Sequence, residues 1–483
     1  MNKPTWQAQI KEAYGQRATD APMERELYSR DLAPVPEALV KPLFNTLPDI
    51  IVRPSTTAEV SDLLKRASAE GVPVIPRAGA TTVFFNTIPV NRGMVMDLNL
   101  LNGVVALDAP GMTVRVKAAT TWNDLEVHLN RHHFACKSMP SSAPAATIGG
   151  WFCMMGYGIG SLKYGPLMSQ VRAIEVVRPD GRIERLSKGM ESQLDWYASS
   201  EGTLGIVTEI ELEIRLLTPM KHVLLHAPDM PAALAAIKVF LGQKTVPYNM
   251  HFSEACFLRG MKTLGLSHLN IETGCLVAVD YEGSIEELSP VEKVINGLLE
   301  TQKKLVRLPD PLAETEWEER YRSIRIKRGG SSMLGGEVWL PVEKLPAYMD
   351  VLKGLAKRYS INLMSYGHVV SSERATVMSV FFSDETRTLK YIADLSLVKK
   401  IQDAAYENGG CPYGVGLWNT PYIRRIYSRM ALKTIRERKK SLDPNNTMNP
   451  GKVYNPPALL NPLLFHLSME FLAAVRRLFR KGW

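Results

Sequence analysis

The stretch from Pro140 to Thr208 constrains this chain more than any other. It opens PSSAPAATIGGWFCMMGYGIGSLKYG and closes SSEGTLGIVT. Gly149, Gly150, Gly156, Gly158, Gly160, Gly165, Gly202 and Gly205 punctuate it. Glycine reaches φ > 0 and lets backbone come close to another group. With Ser and Thr interleaved, the pattern predicts a backbone-lined groove for a large polar ligand. The plainer alternative is a surface of turns, the commonest use of Gly/Ser clusters.

Composition sets the frame for that groove. The 483 residues are 45% hydrophobic and 22% charged, so the chain is globular rather than disordered. Its length suits roughly two to four domains or subdomains. The net charge of +9 is thinly spread, apart from RRIYSRMALKTIRERKK (424–440) and the extreme C-terminus. That makes no case for nucleic acid, and 424–440 reads as a solvated basic helix. Five separated cysteines with no CxxC pair argue against a disulfide framework, a zinc site or an iron–sulfur cluster on this chain. Reduced thiols in a cytoplasmic setting are expected. The N-terminus lacks the apolar core of a signal peptide, and no apolar run is long enough to span a bilayer.

In chain order, residues 1–48 predict an extended arm with one short helix near Gln7–Tyr14. Asp49–Arg53 reads as a strand. Thr56 and Glu59 read as a capping box for a helix that Gly71 ends. VPVIP (72–76) is a buried-type strand, and the small-residue loop RAGATT (77–82) follows directly. Such a loop at a strand end can offer N–H groups to an anion, although it matches neither GxGxxG nor a P-loop. Met112–Ala118 alternates as a strand, and Trp122–Asn130 reads as a helix. His128 and His132 there lack a third ligand, so a solvated face is expected rather than zinc. Ile174–Leu186 reads as a hairpin about Pro-Asp-Gly, and Ile206–Leu216 alternates strictly, as a half-buried strand does. Beyond Met220, helices at 231–241, 284–303, 346–359 and 391–408 alternate with strands at 275–281, 336–341 and 375–382. The class is α+β rather than doubly wound.

Together these motifs resemble the FAD-linked flavoproteins of the vanillyl-alcohol-oxidase type (the PCMH-type FAD-binding superfamily), above all the glycolate oxidase and D-lactate dehydrogenase branch. The resemblance runs through VPVIPRAGATT, PSS…TIGGW…GYGIGSLKYG, VVRPDGRI, SSEGTLGIVTEIEL and LDPNNTMNPGKV, roughly 45–455. It implies an N-terminal arm (1–44), a two-subdomain FAD-binding domain (45–218), a cap domain (219–440), a return to the FAD domain (441–457) and an added C-terminal helix (458–483). By motif match, Arg77, Ala78, Gly79, Ala80, Thr81 and Thr82 are expected at the pyrophosphate. Pro140, Ser141, Ser142, Thr147, Gly149, Gly150, Gly160, Ser161 and Tyr164 are expected along the flavin and ribityl chain. Glu201, Gly202 and Ile206 are expected near the adenine half, and Asn449 and Lys452 near the ring edge. Ala78 and Ala80 stand where glycines are usual. No His-linked flavin motif occurs, so non-covalent FAD is expected.

The resemblance also marks departures. Hydroxy-acid members carry metal motifs of the form HxGDGNxH and SGEHGIG. Here the first reads YGHVVSSERAT and the second GGCPYGVGLWN. Only His368 remains of the ligands, since Ala375, Pro412 and Tyr413 replace others, and no metal is expected. The sequence then nominates Arg325 and Arg322, among Arg320, Lys327 and Arg328, for a substrate carboxylate. It nominates His368 as general base and Tyr413, with Tyr366, to polarise the oxygen. The expected activity is metal-free oxidation of a hydroxylated, anionic small-molecule substrate by hydride transfer to flavin. Electrons would pass to a separate iron–sulfur protein or a quinone, with oxygen as the alternative acceptor. A rival reading is a flavin subunit that only relays electrons inside a complex. In 459–483, Leu464, Leu467, Phe471, Val475 and Leu478 share one helical face, and Arg476, Arg477, Arg480 and Lys481 cluster at its end. That suggests peripheral contact with the inner face of a membrane, or with a partner subunit, against simple packing on its own domain.

Overall fold

The computed structural model describes residues 5–34, 40, 43–189, 193–454 and 456–478. Its class is α+β, and the described strands fall into three sheets. The first has the order Ala18–Thr19, Ile50–Val52, Met94–Asp97, Val74–Arg77, the last three parallel. Short apolar strands such as IIV and MVMD suit it, because both faces are covered. The crossover helix Thr57–Glu70 starts where Thr56 Oγ1 accepts the Glu59 N–H (3.2 Å) and stops at Gly71 with φ 64°. The expected capping box is only half made. The Glu59 carboxylate instead accepts the Ser55 N–H (2.7 Å) and pairs with Arg17 (2.6 Å).

The N-terminal arm is more ordered than its sequence suggested. It forms helices Trp6–Tyr14 and Pro22–Tyr28, and Ala18–Thr19 joins the first sheet. Long-range ion pairs fix it, among them Arg53 with Glu24 (2.6 Å).

The second sheet is antiparallel, in the order Val104–Asp108, Thr113–Lys117, Ile206–Leu216, Val171–Val177, Ile183–Ser187. Ile206–Leu216 is long enough to pair Phe134–Cys136 with its far end as well. Its alternating Ile210, Leu212 and Ile214 enter the core.

The third sheet has eight strands: Val306–Arg307, Met220–Ala227, Cys275–Glu282, Asn249–Glu254, Met364–Val369, Arg374–Ser383, Ser332–Pro341 and Cys411–Pro412. Three of these, Met220–Ala227, Asn249–Glu254 and Met364–Val369, have no clear period in the sequence. One face, with Phe252, Val369, Val377 and Val338, packs on helices Met230–Leu241, Ile285–Thr301, Leu345–Tyr359 and Thr388–Glu407. The opposite face carries polar and aromatic side chains flanked by two apolar clusters, one with Leu224, Leu276 and Ala278 and one with Met364 and Val380.

Several contacts join these units. Arg215, at the end of the long strand of the second sheet, pairs with Glu282 of the third (2.6 Å), and both are almost wholly buried. The chain also returns near its end: Val74 N–H bonds Thr447 O, and Asn449 N–H bonds Val74 O, both at 2.8 Å. The basic stretch 424–440 is two helices, Ile423–Ile426 and Arg429–Leu442, because Ser428 caps the second by accepting the Ala431 N–H (3.2 Å).

Candidate active site and cofactor groove

Three loops converge at the ends of the first sheet. A Cβ on Gly79 would lie 2.3 Å from Ala145 O, one on Gly149 would lie 2.7 Å from Ala118 Cβ, and one on Gly202 would lie 2.4 Å from a Pro76 side-chain carbon. The small residues are therefore required for RAGATT, 145–150 and 199–206 to meet. Ala80 and Glu201 themselves take positive φ, 47° and 49°. Among the described residues, no backbone N–H from Ala78 to Thr82 donates a hydrogen bond within the protein. Unpaired donors at a strand end are what a pyrophosphate needs in place of water. Thr147 caps the short helix Ile148–Cys153 by accepting the Gly150 N–H (3.3 Å). Gly150 is exposed, Ser141 and Ser142 are half-buried, and Pro140 and Gly149 are buried, so these line one wall.

Other nominated residues have partners within the protein. Arg77 points to the arm, donating to Arg30 O (2.6 Å) with its guanidinium over the Tyr28 ring. Gly160 (φ 84°) starts the turn Ser161–Tyr164, and Ser161 Oγ accepts the Gly158 N–H (3.0 Å). The Tyr164 hydroxyl donates to Glu282, at the junction of the sheets. Ile206 is core.

Glu201 is a buried knot. Its carboxylate accepts the N–H groups of Val415 (3.2 Å) and Gly416 (2.8 Å) and the Asn86 amide. Burial pushes its pKa up to about 7 despite those donors. Asn449 Nδ2 donates to Glu201 O (2.8 Å) and Asn86 O (3.0 Å), while its buried Oδ1 has no partner. Lys452 is fully buried and donates to Ile88 O (2.7 Å), and burial lowers its pKa to about 7. The orphaned amide oxygen and the free N–H groups of RAGATT fit a cofactor that brings hydroxyl donors and an anion.

The polar face of the third sheet stands against this groove. Tyr413 Oη accepts the Tyr157 N–H (3.0 Å), and Trp339 meets the Tyr157 ring edge-on at 4.4 Å. Tyr321 Oη lies 2.8 Å from Met139 Sδ, one residue before Pro140. On that face His368 and His251 are direct cross-strand partners, with ring centres 5.8 Å apart. His368 Nδ1 is buried without a partner, and burial with the His251 charge lowers the His368 pKa to about 3. Glu337 lies on the same face, and burial raises its pKa to about 7. His251 Nε2 is 3.6 Å from Glu316, which also pairs with Arg322. The sequence reading missed His251, Glu316 and Glu337. Only the alternation of SMLGGEVWLP signals one of them, by putting Glu337 opposite Val338 and Leu340.

The nominated arginines divide. Arg325 is exposed, and Arg322 is buried and already paired with Glu316 and Glu319. Arg320 lies over the Trp317 and Tyr321 rings, 4.4 Å from each, and its buried Nε has no partner. Among the described residues, no group of three or more His, Cys, Asp or Glu is gathered closely enough to hold a metal ion.

The FAD binding domain family matches residues 48–187, and the C-terminal domain of the FAD linked oxidases matches 218–453. The chain belongs to the FAD-linked oxidases. It is an oxidoreductase whose cofactor is FAD. The glycolate oxidase subunit GlcD of Bacillus subtilis is 24% identical over 86% of this chain and 90% of its own length. A D-lactate dehydrogenase of Archaeoglobus fulgidus is 26% identical over 84% and 91%. Among solved structures, p-cresol methylhydroxylase superposes with TM-score 0.80 at 14% identity, covering 93% of this chain and 96% of that one. Alkyldihydroxyacetonephosphate synthase superposes with TM-score 0.75 at 19% identity, covering 93% and 86%. Those likenesses show the shared fold.

Proposed function

We propose that this FAD-linked oxidoreductase dehydrogenates a small hydroxylated anion, of the 2-hydroxy-acid kind, without a metal. The observation that carries the reading is the row His251, His368 and Trp339 on the cap face, with Glu337 in the next row of the same face, tied by Tyr413 and Tyr157 to the cofactor groove. Bound non-covalently, FAD supplies the hydride acceptor. The protein's part is to bind, orient and deprotonate. His368 enters neutral with a free Nδ1, the state in which a general base starts. An anion in the same chamber would raise its affinity for a proton by opposite charge. Tyr413 and Tyr366 border the chamber and exclude water. Arg320, rather than Arg325 or Arg322, is the cation for the substrate carboxylate, because it is the one with unspent donors beside Tyr321 and Met139. Ala78–Thr82 and Asn449 hold the cofactor.

The polar row also argues against a subunit that only relays electrons, whose chamber would need no ionisable groups. Electrons would leave to a separate carrier, an iron–sulfur protein or a quinone. The test is anaerobic: the FAD-loaded protein is mixed with a panel of 2-hydroxy acids and neutral alcohols in the presence of a chelator, and flavin absorbance is followed. Bleaching by a hydroxy acid is expected, and His368→Ala should slow it on the order of 10²–10⁴-fold with FAD retained. If dithionite reduces the flavin and no compound in the panel does, the reading is wrong. Arg320→Leu should raise the substrate Kd for the acid and leave a neutral alcohol unaffected.

A further inference from the structure

We propose that the outward face of the C-terminal helix Pro462–Leu478 rests in the surface of an anionic lipid bilayer. The inward face of this helix packs on the body of the protein. Phe465 sits beside Trp418 (5.9 Å) and Tyr422 (6.2 Å), and Ala473 is buried. Glu470 pairs with Lys399 (2.6 Å) and Lys400 (2.5 Å), and Arg476 donates to Asp394 (2.6 Å) in a buried pair. The helix is thus fixed to helix Thr388–Glu407 and does not dangle. Arg476, which the sequence placed in an outer basic cluster, is drawn inward.

The other face has no such partners. Leu463, Leu464, Leu467 and Phe471 are 67%, 57%, 59% and 68% exposed, at spacings that make one stripe along the helix. Val475 is half-buried. The Leu478 side chain, Arg480 and Lys481 lie outside the described residues.

Charge selects the occupant. Residues 459–483 contain one acidic residue, Glu470, and it is consumed by the two lysines behind it. What faces outward is apolar, with exposed Arg477 at one end and Arg480 and Lys481 following in the sequence. An apolar stripe ending in cations, with its one acidic neighbour Glu470 half exposed but paired with Lys399 and Lys400, complements anionic headgroups over acyl chains. No helix among the described residues is long and apolar enough to cross a membrane, so this one would lie in the plane of the surface. The inference rests on this surface alone and stands apart from the catalytic reading.

The test is co-sedimentation of the full chain with vesicles of phosphatidylcholine, with and without phosphatidylglycerol. Binding is expected with phosphatidylglycerol only, weakening as salt rises. The double substitution Leu464→Glu, Phe471→Glu should lower the bound fraction at least tenfold at an unchanged thermal midpoint, since both side chains point outward. Arg477→Ser should weaken binding less. Protein left in the supernatant with phosphatidylglycerol vesicles, or equal binding to both compositions, overturns the proposal. So does a concentration-dependent dimer that the same double substitution dissolves, because the face would then belong to a second copy.

Discussion

His368 is neutral because water is excluded around it and His251 stands beside it. A histidine whose pKa falls on folding supports the native state above its unfolded value, near 6.5, and loses that support as pH drops toward its folded value. Acidification from pH 7.5 to 5 should therefore cost the wild type about 2 kcal/mol that His368→Gln does not lose. Thermal midpoints of the two across that range decide it: parallel curves would mean His368 is hydrated and free to charge. This residue was legible in the sequence because one motif position survives around it. His251 was not, since NMHFSE carries no period and its meaning comes from a strand more than a hundred residues away. The arginines from Arg320 to Arg328 look alike in the sequence, and pairing with Glu316 and Glu319, which only the structure shows, is what sets Arg322 apart among them.

At the scale of elements, the glycine-rich turns make the sharpest predictions. A methyl group on Gly160 would fall 2.1 Å from Lys137 O at φ 84°. Gly160→Ala should destabilise the protein by at least about 1–2 kcal/mol, from left-handed strain before the clash is counted. Gly79→Ala should mainly lower the amount of FAD retained after gel filtration, since its Cβ would push RAGATT off Ala145. Unchanged flavin content in that variant would separate the loop from the cofactor. Elements with strong local signals were readable: the strand Ile206–Leu216 by alternation, the helix Trp122–Asn130 by its periodicity, the Thr57–Glu70 helix by its flanking Thr56 and Gly71. In the N-terminal arm the first helix, Trp6–Tyr14, was readable, but the helix Pro22–Tyr28 and the strand Ala18–Thr19 were not, because ion pairs to Arg53 and Glu59 rather than any apolar period hold them.

For the whole molecule, the buried Arg215–Glu282 pair is where the second and third sheets meet, with the Tyr164 hydroxyl on the same carboxylate. Arg215→Met leaves that carboxylate without its arginine and should cost about 3–5 kcal/mol, the usual result of breaking a buried pair from one side. Denaturant unfolding followed by tryptophan fluorescence measures it, and a cost under about 1 kcal/mol would place the junction's strength elsewhere.

The return of the chain to Val74 has a consequence for how the protein is made. The strand Val74–Arg77 is the edge of its sheet until Thr447 and Asn449 bond its backbone, and the RAGATT loop leaves directly from that strand. At about 5–20 residues per second, residue 449 leaves the ribosome on the order of ten to fifty seconds after residue 216. During that interval the nascent groove has an open flank of the kind that recruits foreign strands. Ribosome-bound chains stopped before residue 447 should therefore emerge colourless.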